Sequence, residues 1–201
     1  MTLDDIVHER RHSHVLQSPL ARGVTRAGVM LHYDDSSRDE WALEWFMDRR
    51  CTNGYTWLVL DDGRVVELAD PTMRTPHAGA CRVAAANSRF YGISAATNGL
   101  VVATVAQMDS IVALVAALFR QHGWSDVAAG IVGHDELAIW TPETTRAAGI
   151  NDERGRLLWD RGGRKVDPTG VRKDRVPIIN VAEVRARVTQ LSALLAQGEL
   201  K

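Results

Sequence analysis

Residues 27–32 read AGVMLH, a short apolar run that ends in His32. A run of this length and composition is typical of a buried strand, so the sequence predicts a strand that delivers His32 at its carboxyl end. A second apolar stretch, residues 131–133, leads into His134 in the same way, and Gly133 permits close approach of the backbone. The chain therefore predicts two imidazoles that strand ends direct into one cleft.

A third side chain that can bind a metal, Asp167, lies in the segment KVDPTG at residues 165–170. Two histidines and one carboxylate can hold a zinc ion and leave one coordination position for water, as in catalytic zinc sites. Lys165 would add a cation beside that metal. Each residue also has an ordinary interpretation: a hydrogen-bonded core histidine, a turn aspartate before a proline or an exposed lysine.

Further strands follow from turn signals and apolar runs. Residues 55–60 and 64–68 flank the turn sequence DDG, which predicts a hairpin. Residues 90–96 predict another strand. Together with the strands before His32 and His134, these segments predict one sheet that contains at least one antiparallel pair.

Helical patterns separate these strands. Ser37, with Glu40 three residues later, predicts the start of a helix that runs to about Arg50. Apolar residues at helical spacing mark residues 108–119, and the final helix is expected after Asn180, its predicted N-cap. The predicted fold class is therefore α/β: a single domain with a central mixed β-sheet flanked by helices.

Composition narrows the class of protein. The 201 residues suit one domain with a sizeable core. A formal net charge of -1 argues against a nucleic-acid-binding protein, which usually carries a basic face. No apolar stretch is long enough for an integral membrane segment, and the first residues do not resemble a signal peptide. With only Cys51 and Cys81, we expect a cytoplasmic protein with reduced thiols.

Several short motifs carry a family resemblance. In chain order they are MLHY at residues 30–33, GYTWLV at 54–59, PHAG at 76–79, VGHD at 132–135 and KVDP at 165–168. In this order they resemble the zinc-dependent N-acetylmuramoyl-L-alanine amidases (amidase type 2), a family that includes phage amidase endolysins, anhydro-muropeptide amidases and peptidoglycan recognition proteins. The resemblance implies the fold of that family.

The resemblance also implies a reaction and a set of residues. The substrate would be peptidoglycan or a muropeptide, and the bond cleaved would be the amide between the lactyl group of N-acetylmuramic acid and L-alanine. One zinc ion would be held by His32, His134 and Asp167. Tyr55 matches a tyrosine that assists catalysis in the phage enzymes, and Lys165 matches the active-site lysine, whose ammonium group can stabilise the oxyanion of the tetrahedral intermediate.

Two positions leave the mechanism open. His77 either lines the cleft and binds substrate or holds a loop through a backbone hydrogen bond; we predict that it binds substrate. Ser94 stands where the anhydro-muropeptide amidases have a strand glutamate, so a glutamate-based mechanism is in doubt. The proton for the leaving amine could come from Tyr55, from the zinc-bound water or from Asp135.

The sequence predicts a phage or prophage endolysin, in which residues 1–22 form an N-terminal arm and residues 23–201 the zinc amidase domain. An endolysin would need a membrane pore, a holin, for its release. The alternatives are a cytoplasmic anhydro-muropeptide recycling amidase, which the carboxylate of Asp167 favours, and a non-catalytic peptidoglycan-binding module. A zinc peptidase or deacetylase of another fold is a further interpretation.

The tryptophans fall into two groups. The core is the predicted place of Trp41, Trp45 and Trp57. The others lie nearer the predicted cleft, where one could stack on a sugar ring, although packing is the favoured interpretation for each: Trp124, Trp140 and Trp159.

Overall fold

The computed structural model describes residues 2–12, 17–34, 36, 38–79, 81–97, 101–138 and 177–197. The strands in this part of the chain are β1 (Val7–Arg10), β2 (Ser18–Pro19), β3 (Gly28–Tyr33), β4 (Trp57–Val59), β5 (Val65–Glu67), β6 (Met73–Arg74), β7 (Phe90–Ala95) and β8 (Ile131–Gly133). The helices are α1 (Leu3–Ile6), α2 (Asp39–Met47), α3 (Ala86–Arg89), α4 (Val105–His122), α5 (Val127–Gly130), α6 (His134–Leu137) and α7 (Val181–Gln197).

A six-stranded sheet with the order β1-β5-β4-β7-β3-β8 forms the centre of the fold. The pair β4 and β5 is antiparallel, and the other neighbours are parallel. A small antiparallel pair, β2 and β6, lies apart from it. These observations confirm the predicted α/β class with a mixed sheet. They also confirm the hairpin and the strand that follows α3.

The two faces of the sheet have different coverings. Successive strand residues point to opposite faces, so Val29 and Leu31 share one face and Met30 and His32 share the other. The first face packs against α4 and α7 in the largest apolar cluster. The second face packs partly against α2, through Phe46 and its neighbours. The predicted site therefore lies on the face opposite the two long helices.

The predicted helices occur, with differences at their ends. The helix expected from Ser37 begins at Asp39 and ends at Met47, and Arg38 is its N-cap. It ends early because the Asp48 carboxylate accepts a hydrogen bond from the backbone N–H of Arg50 (2.8 Å), which favours a turn over another helical residue.

The C-terminal helix begins as predicted. The side-chain oxygen of Asn180 accepts a hydrogen bond from the backbone N–H of Glu183 (3.2 Å). This contact satisfies one of the N–H groups that the first turn of a helix leaves without an intrahelical partner. Asn180 is therefore confirmed as the N-cap of α7.

The N-terminal residues contribute to the sheet. Strand β1 lies at its edge and pairs in parallel with β5. Nδ1 of His8 accepts a hydrogen bond from the backbone N–H of Val65 (3.1 Å), and Nε2 of His12 lies 2.9 Å from the carboxylate of Glu67. The division of the chain at residue 22 stays a prediction.

Two expectations from composition can be compared with the described residues. None of the described helices has the length and apolar character needed to cross a membrane. The thiols of Cys51 and Cys81 are both free.

Asp34 has a buried carboxyl group with a raised pKa. One of its oxygens accepts hydrogen bonds from the backbone N–H groups of Thr97 (2.9 Å) and Ser36 (3.2 Å). The other oxygen is buried and has no hydrogen-bond partner among the described residues. Burial raises the pKa of this carboxyl group from 3.8 to about 7. Between about pH 4 and 7, the folded protein therefore keeps a proton on Asp34 that the unfolded chain has already lost.

Since the folded state holds this proton more tightly, the free energy of unfolding should fall as pH rises from about 4 to 7 and then level off. Asp34→Asn should remove this pH dependence and, because the pKa rises from 3.8 to about 7 on folding, stabilise the metal-free protein at pH 8 by roughly 4 kcal/mol. Urea unfolding at pH 5 and pH 8 measures the effect, with the exposed substitution Glu44→Gln as the control. Identical pH dependence in wild type and Asp34→Asn would contradict the assignment.

Candidate active site

Three imidazoles meet on the face of the sheet opposite α4 and α7. The ring centroid of His32 lies 4.7 Å from that of His134 and 5.2 Å from that of His77. All three side chains are buried. The structure thus brings together the two predicted histidine ligands and the histidine predicted to bind substrate.

Strand register places the two predicted ligands side by side. In the parallel pair β3 and β8, Leu31 is opposite Gly133, so the next residues, His32 and His134, follow each other at the same end of the sheet. The carboxyl ends of parallel strands are a common position for ligand sites in α/β folds.

A chain of hydrogen bonds determines which ring nitrogens carry protons. Nε2 of His77 lies 3.1 Å from the carbonyl oxygen of Phe90; because that oxygen can only accept, Nε2 is the donor. Burial, with the nearby His32 adding to it, lowers the pKa of His77 well below its usual value, so the ring is neutral and Nδ1 carries its lone pair. Nδ1 accepts from Nε2 of His32 at 3.1 Å.

The same reasoning applies to His134. Its Nε2 donates to the carbonyl oxygen of Ala78 at 2.9 Å. In their neutral forms, His32 and His134 therefore both carry the lone pair at Nδ1. Hydrogen bonds of this kind orient metal-binding histidines and set their tautomers. The supporting groups, His77 and the Ala78 carbonyl, come from the PHAG motif.

The turn that carries His134 is stabilised by hydrogen bonds from a residue of the C-terminal helix. The backbone N–H of Gly133 donates to the Glu136 carboxylate (2.9 Å). Arg185 of α7 donates to the same carboxylate and to the carbonyl oxygen of Ile131, both at 2.6 Å. Charge-assisted hydrogen bonds of this type are stronger than neutral ones. Arg185 was not predicted, since nothing local in the sequence pairs it with Glu136.

Tyr55 and Ser94 flank His32. The Tyr55 ring centroid lies 4.9 Å from that of His32 and 5.3 Å from that of Phe46. Ser94 of β7 is directly opposite His32 in the strand register and is fully buried. Its hydroxyl group contacts the carbonyl oxygen of Ala95 at 3.4 Å. The position of the missing glutamate is therefore inside the site.

Asp167 and Lys165 lie outside the described residues. Within the described ranges, no group of three or more His, Cys, Asp or Glu side chains is arranged to hold a metal ion. The described site therefore contains the two predicted histidine ligands but not a complete ligand set.

The close contact between His77 and the sheet depends on Gly92. A Cβ atom at residue 92 would lie 2.8 Å from the His77 ring, closer than real side chains pack. A glycine inside a strand often marks such a close approach. Gly92 is therefore the feature of the sequence that could have indicated a side chain, here His77, packed closely on β7.

Some of the tryptophans lie at other places than the sequence predicts. Trp57 is fully buried, as predicted, but Trp41 and Trp45 are 47% and 45% exposed, so their prediction as core residues is wrong. Trp124 stacks on His122, with ring centroids 4.5 Å apart, and packs against the cluster under α4, on the face away from His32. Trp140 and Trp159 are outside the described residues.

Comparisons with known proteins show the family to which this chain belongs. The sequence profile of the family described as N-acetylmuramoyl-L-alanine amidase matches residues 23–156, more than half of the chain. The chain belongs to this family. The match ends before Lys165 and Asp167, so their roles in this amidase stay predictions. No protein of curated function matches the amidase by sequence.

Solved structures show the same fold. An AmpD derivative has a TM-score of 0.61 and 18% sequence identity, with 89% of this chain and 93% of that chain covered. A mutant endolysin from Bacillus subtilis has a TM-score of 0.53 and 16% identity, with 65% and 85% covered. These likenesses confirm the predicted fold, and the family confirms the predicted enzyme class. They exclude a zinc peptidase or deacetylase of another fold.

His77 offers a test of the hydrogen-bond chain. His77→Leu removes the acceptor for Nε2 of His32, so we expect zinc affinity to fall about 10- to 100-fold. His77→Gln can still accept from His32 and should lose less. Competition with a zinc chelator measures the affinities. Equal zinc affinity in His77→Leu and wild type would show that His77 does not position His32.

Proposed function

We propose that this amidase uses one zinc ion to hydrolyse the amide between the lactyl group of N-acetylmuramic acid and L-alanine in peptidoglycan. The observation that carries the proposal is the buried pair of His32 and His134, whose Nε2 atoms are both occupied by hydrogen bonds to the protein. The family contributes the substrate class.

The residues of the described site fit a zinc ion. Neutral imidazoles with the lone pair on the same ring nitrogen, each oriented by an outer hydrogen bond, are typical zinc ligands. Asp167 would complete the set. When bound, zinc lowers the pKa of a coordinated water toward neutrality and polarises the substrate carbonyl.

The protein supplies positioning and charge. The contact of Tyr55 with His32 supports a role for its hydroxyl group in assisting the proton transfer to the leaving amine. Lys165 would offer its ammonium group to the negative charge that develops on the carbonyl oxygen. Both ring nitrogens of His77 are engaged, by the Phe90 carbonyl oxygen and by His32, so its role here is to position His32, and the substrate contact expected from the sequence stays a prediction.

Ser94 favours an endolysin as the biological role. A serine has no group that could take the acid–base role of a carboxylate near neutral pH, and phage members of the family often lack the glutamate. An endolysin would be made in the cytoplasm and released through a holin. A recycling amidase is the alternative that Asp167 favours. A non-catalytic peptidoglycan-binding module would be expected to lack a metal ligand, and here no predicted ligand is replaced.

Two substitutions separate metal binding from transition-state stabilisation. His134→Ala should lose zinc and activity together, because a ligand is removed. Lys165→Ala should keep zinc but lower kcat by roughly 100-fold, because the residue supplies charge and not coordination. Metal content by elemental analysis and release of the stem peptide, followed by mass spectrometry, measure the two effects.

The controls for this experiment are built into it. Wild-type protein loaded with zinc must release peptide from peptidoglycan, and zinc removal must stop the release. Tight binding to peptidoglycan without any cleavage, at full zinc occupancy, would contradict the proposal and favour the binding module. Loss of zinc in Lys165→Ala would contradict the role assigned to Lys165.

Substrate preference distinguishes the two biological roles. An endolysin should cleave intact sacculi with kcat/KM at least about tenfold above that for soluble anhydro-muropeptides, compared per cleavable bond. This corresponds to about 1.4 kcal/mol of differential transition-state stabilisation. The opposite preference would assign the protein to recycling.

A further inference from the structure

Trp41 and Trp45 form an exposed aromatic pair on α2. They are four residues apart, so they lie one above the other on the same flank of the helix. Exposures of 47% and 45% are high for tryptophan, which is among the most buried side chains on average. Arg38 lies over the Trp41 ring, with its guanidinium carbon 4.8 Å from the ring centroid. We call these two indoles the tryptophan flank.

The packing of α2 shows which way the tryptophan flank faces. Leu43 and Phe46 are buried against Leu58 of β4 and neighbouring apolar residues. The flank of α2 that carries Glu40 and Met47 lines a groove together with Arg11 and Arg64, and therefore faces the β1–β5 edge of the sheet.

A helix turns about 100° per residue. Trp41 and Trp45 therefore lie on the flank of α2 that is across the buried face from Glu40 and Met47. Because the flank with Glu40 and Met47 faces the β1–β5 edge, the tryptophan side is the one nearer β7, β3 and β8 in the strand order. Contacts connect the two regions: Phe46 of α2 packs on Tyr55, and Tyr55 packs on His32. The buried face of α2 therefore adjoins the histidine cluster, and the tryptophan flank lies on the exposed side of the same helix.

We propose that Trp41 and Trp45 bind the saccharide part of the substrate by stacking on pyranose rings of the peptidoglycan glycan strand. This inference rests on the proposed function, because the bond to be cut lies on a muramic acid and neighbouring sugars must then extend from the cleft. Indoles offer broad, rigid apolar faces with few rotatable bonds, which suits the C–H faces of sugars. The Arg38 cation holds the Trp41 ring in place.

A glycan strand fits this surface better than a protein partner does. The patch is small, consists of two exposed rings on α2, and is flanked by the polar side chain of Arg38. Stable protein–protein interfaces bury roughly 800 Å² on each partner. Sugars require only stacking surfaces next to hydrogen-bonding groups. Self-association through the tryptophan flank is tested as a separate outcome.

Binding of peptide-free glycan strands to the metal-free protein tests the proposal without hydrolysis. We expect Trp41→Ala and Trp45→Ala each to weaken binding by about 10-fold, and the double variant to weaken it further. Trp41→Phe and Trp45→Phe retain a ring and should recover part of the affinity. Val105→Ala, at an exposed apolar residue of α4, is the matched control and should bind as wild type does.

With zinc-loaded protein, the double variant should raise KM for sacculi more than KM for a soluble muramyl peptide. Equal glycan binding by wild type and the double variant would overturn the proposal, as would a wild-type dimer that the double variant converts to a monomer. Thermal unfolding and the Phe variants identify a folding defect. If wild type binds glycan strands through these tryptophans but cleaves nothing, the proposed function fails and the saccharide site stands.

Discussion

The site depends on the position of β3 in the sheet. This strand pairs in parallel with β7 on one side and with β8 on the other, so its position determines two placements at once. It places Ser94 beside His32 and brings His134 to the same end of the sheet. A slip of one residue would turn His32 to the face covered by α4 and α7. The fully buried Val29 and Leu31 oppose such a slip, because their transfer to the other face would remove them from the largest apolar cluster.

Hydrogen bonds then determine which ring nitrogen of each histidine carries the lone pair. Imidazoles can expose either nitrogen, and the strand register does not choose between them. Here the choice is made by main-chain carbonyl groups, directly for His134 and through His77 for His32. The close approach of His77 needs Gly92, and the turn at His134 is held by Arg185. Residues from three separate parts of the chain, 77–78, 90–92 and Arg185, therefore prepare two ring nitrogens for the same role.

Local patterns predicted much of this arrangement. Apolar runs before His32 and His134 were visible in sequence because a buried strand is a continuous stretch, and a hairpin is marked by its turn residues. The end of α2 was predicted less well because the choice between a helix and an Asp48 turn depends on small free-energy differences. The role of Arg185 is a tertiary property, since its partner carboxylate lies 49 residues away and no periodicity relates them.

The exposure of the tryptophan flank is another tertiary property that the local sequence pattern did not predict. Helical spacing groups Trp45 with the apolar residues of α2, but spacing alone cannot say how wide the buried stripe is. In the structure the stripe is narrow and is occupied by Ala42, Leu43 and Phe46. Trp41 and Trp45 lie just outside this stripe. They were predicted to be core residues because they are large and apolar, but the contact of α2 with β4 and β5 is too narrow to bury them.

Ser94 limits how the site can handle protons. It is buried between β3 and β4, opposite both His32 and Leu58, so a carboxylate at this position would have touched the reaction centre. With serine there, β7 places no carboxylate opposite His32. In the proposed reaction, proton transfer would then rely on side chains outside the sheet, and Tyr55 packs against His32 from the segment before β4. Under the proposed function, acid–base chemistry would therefore come from the segments around the sheet and not from β7.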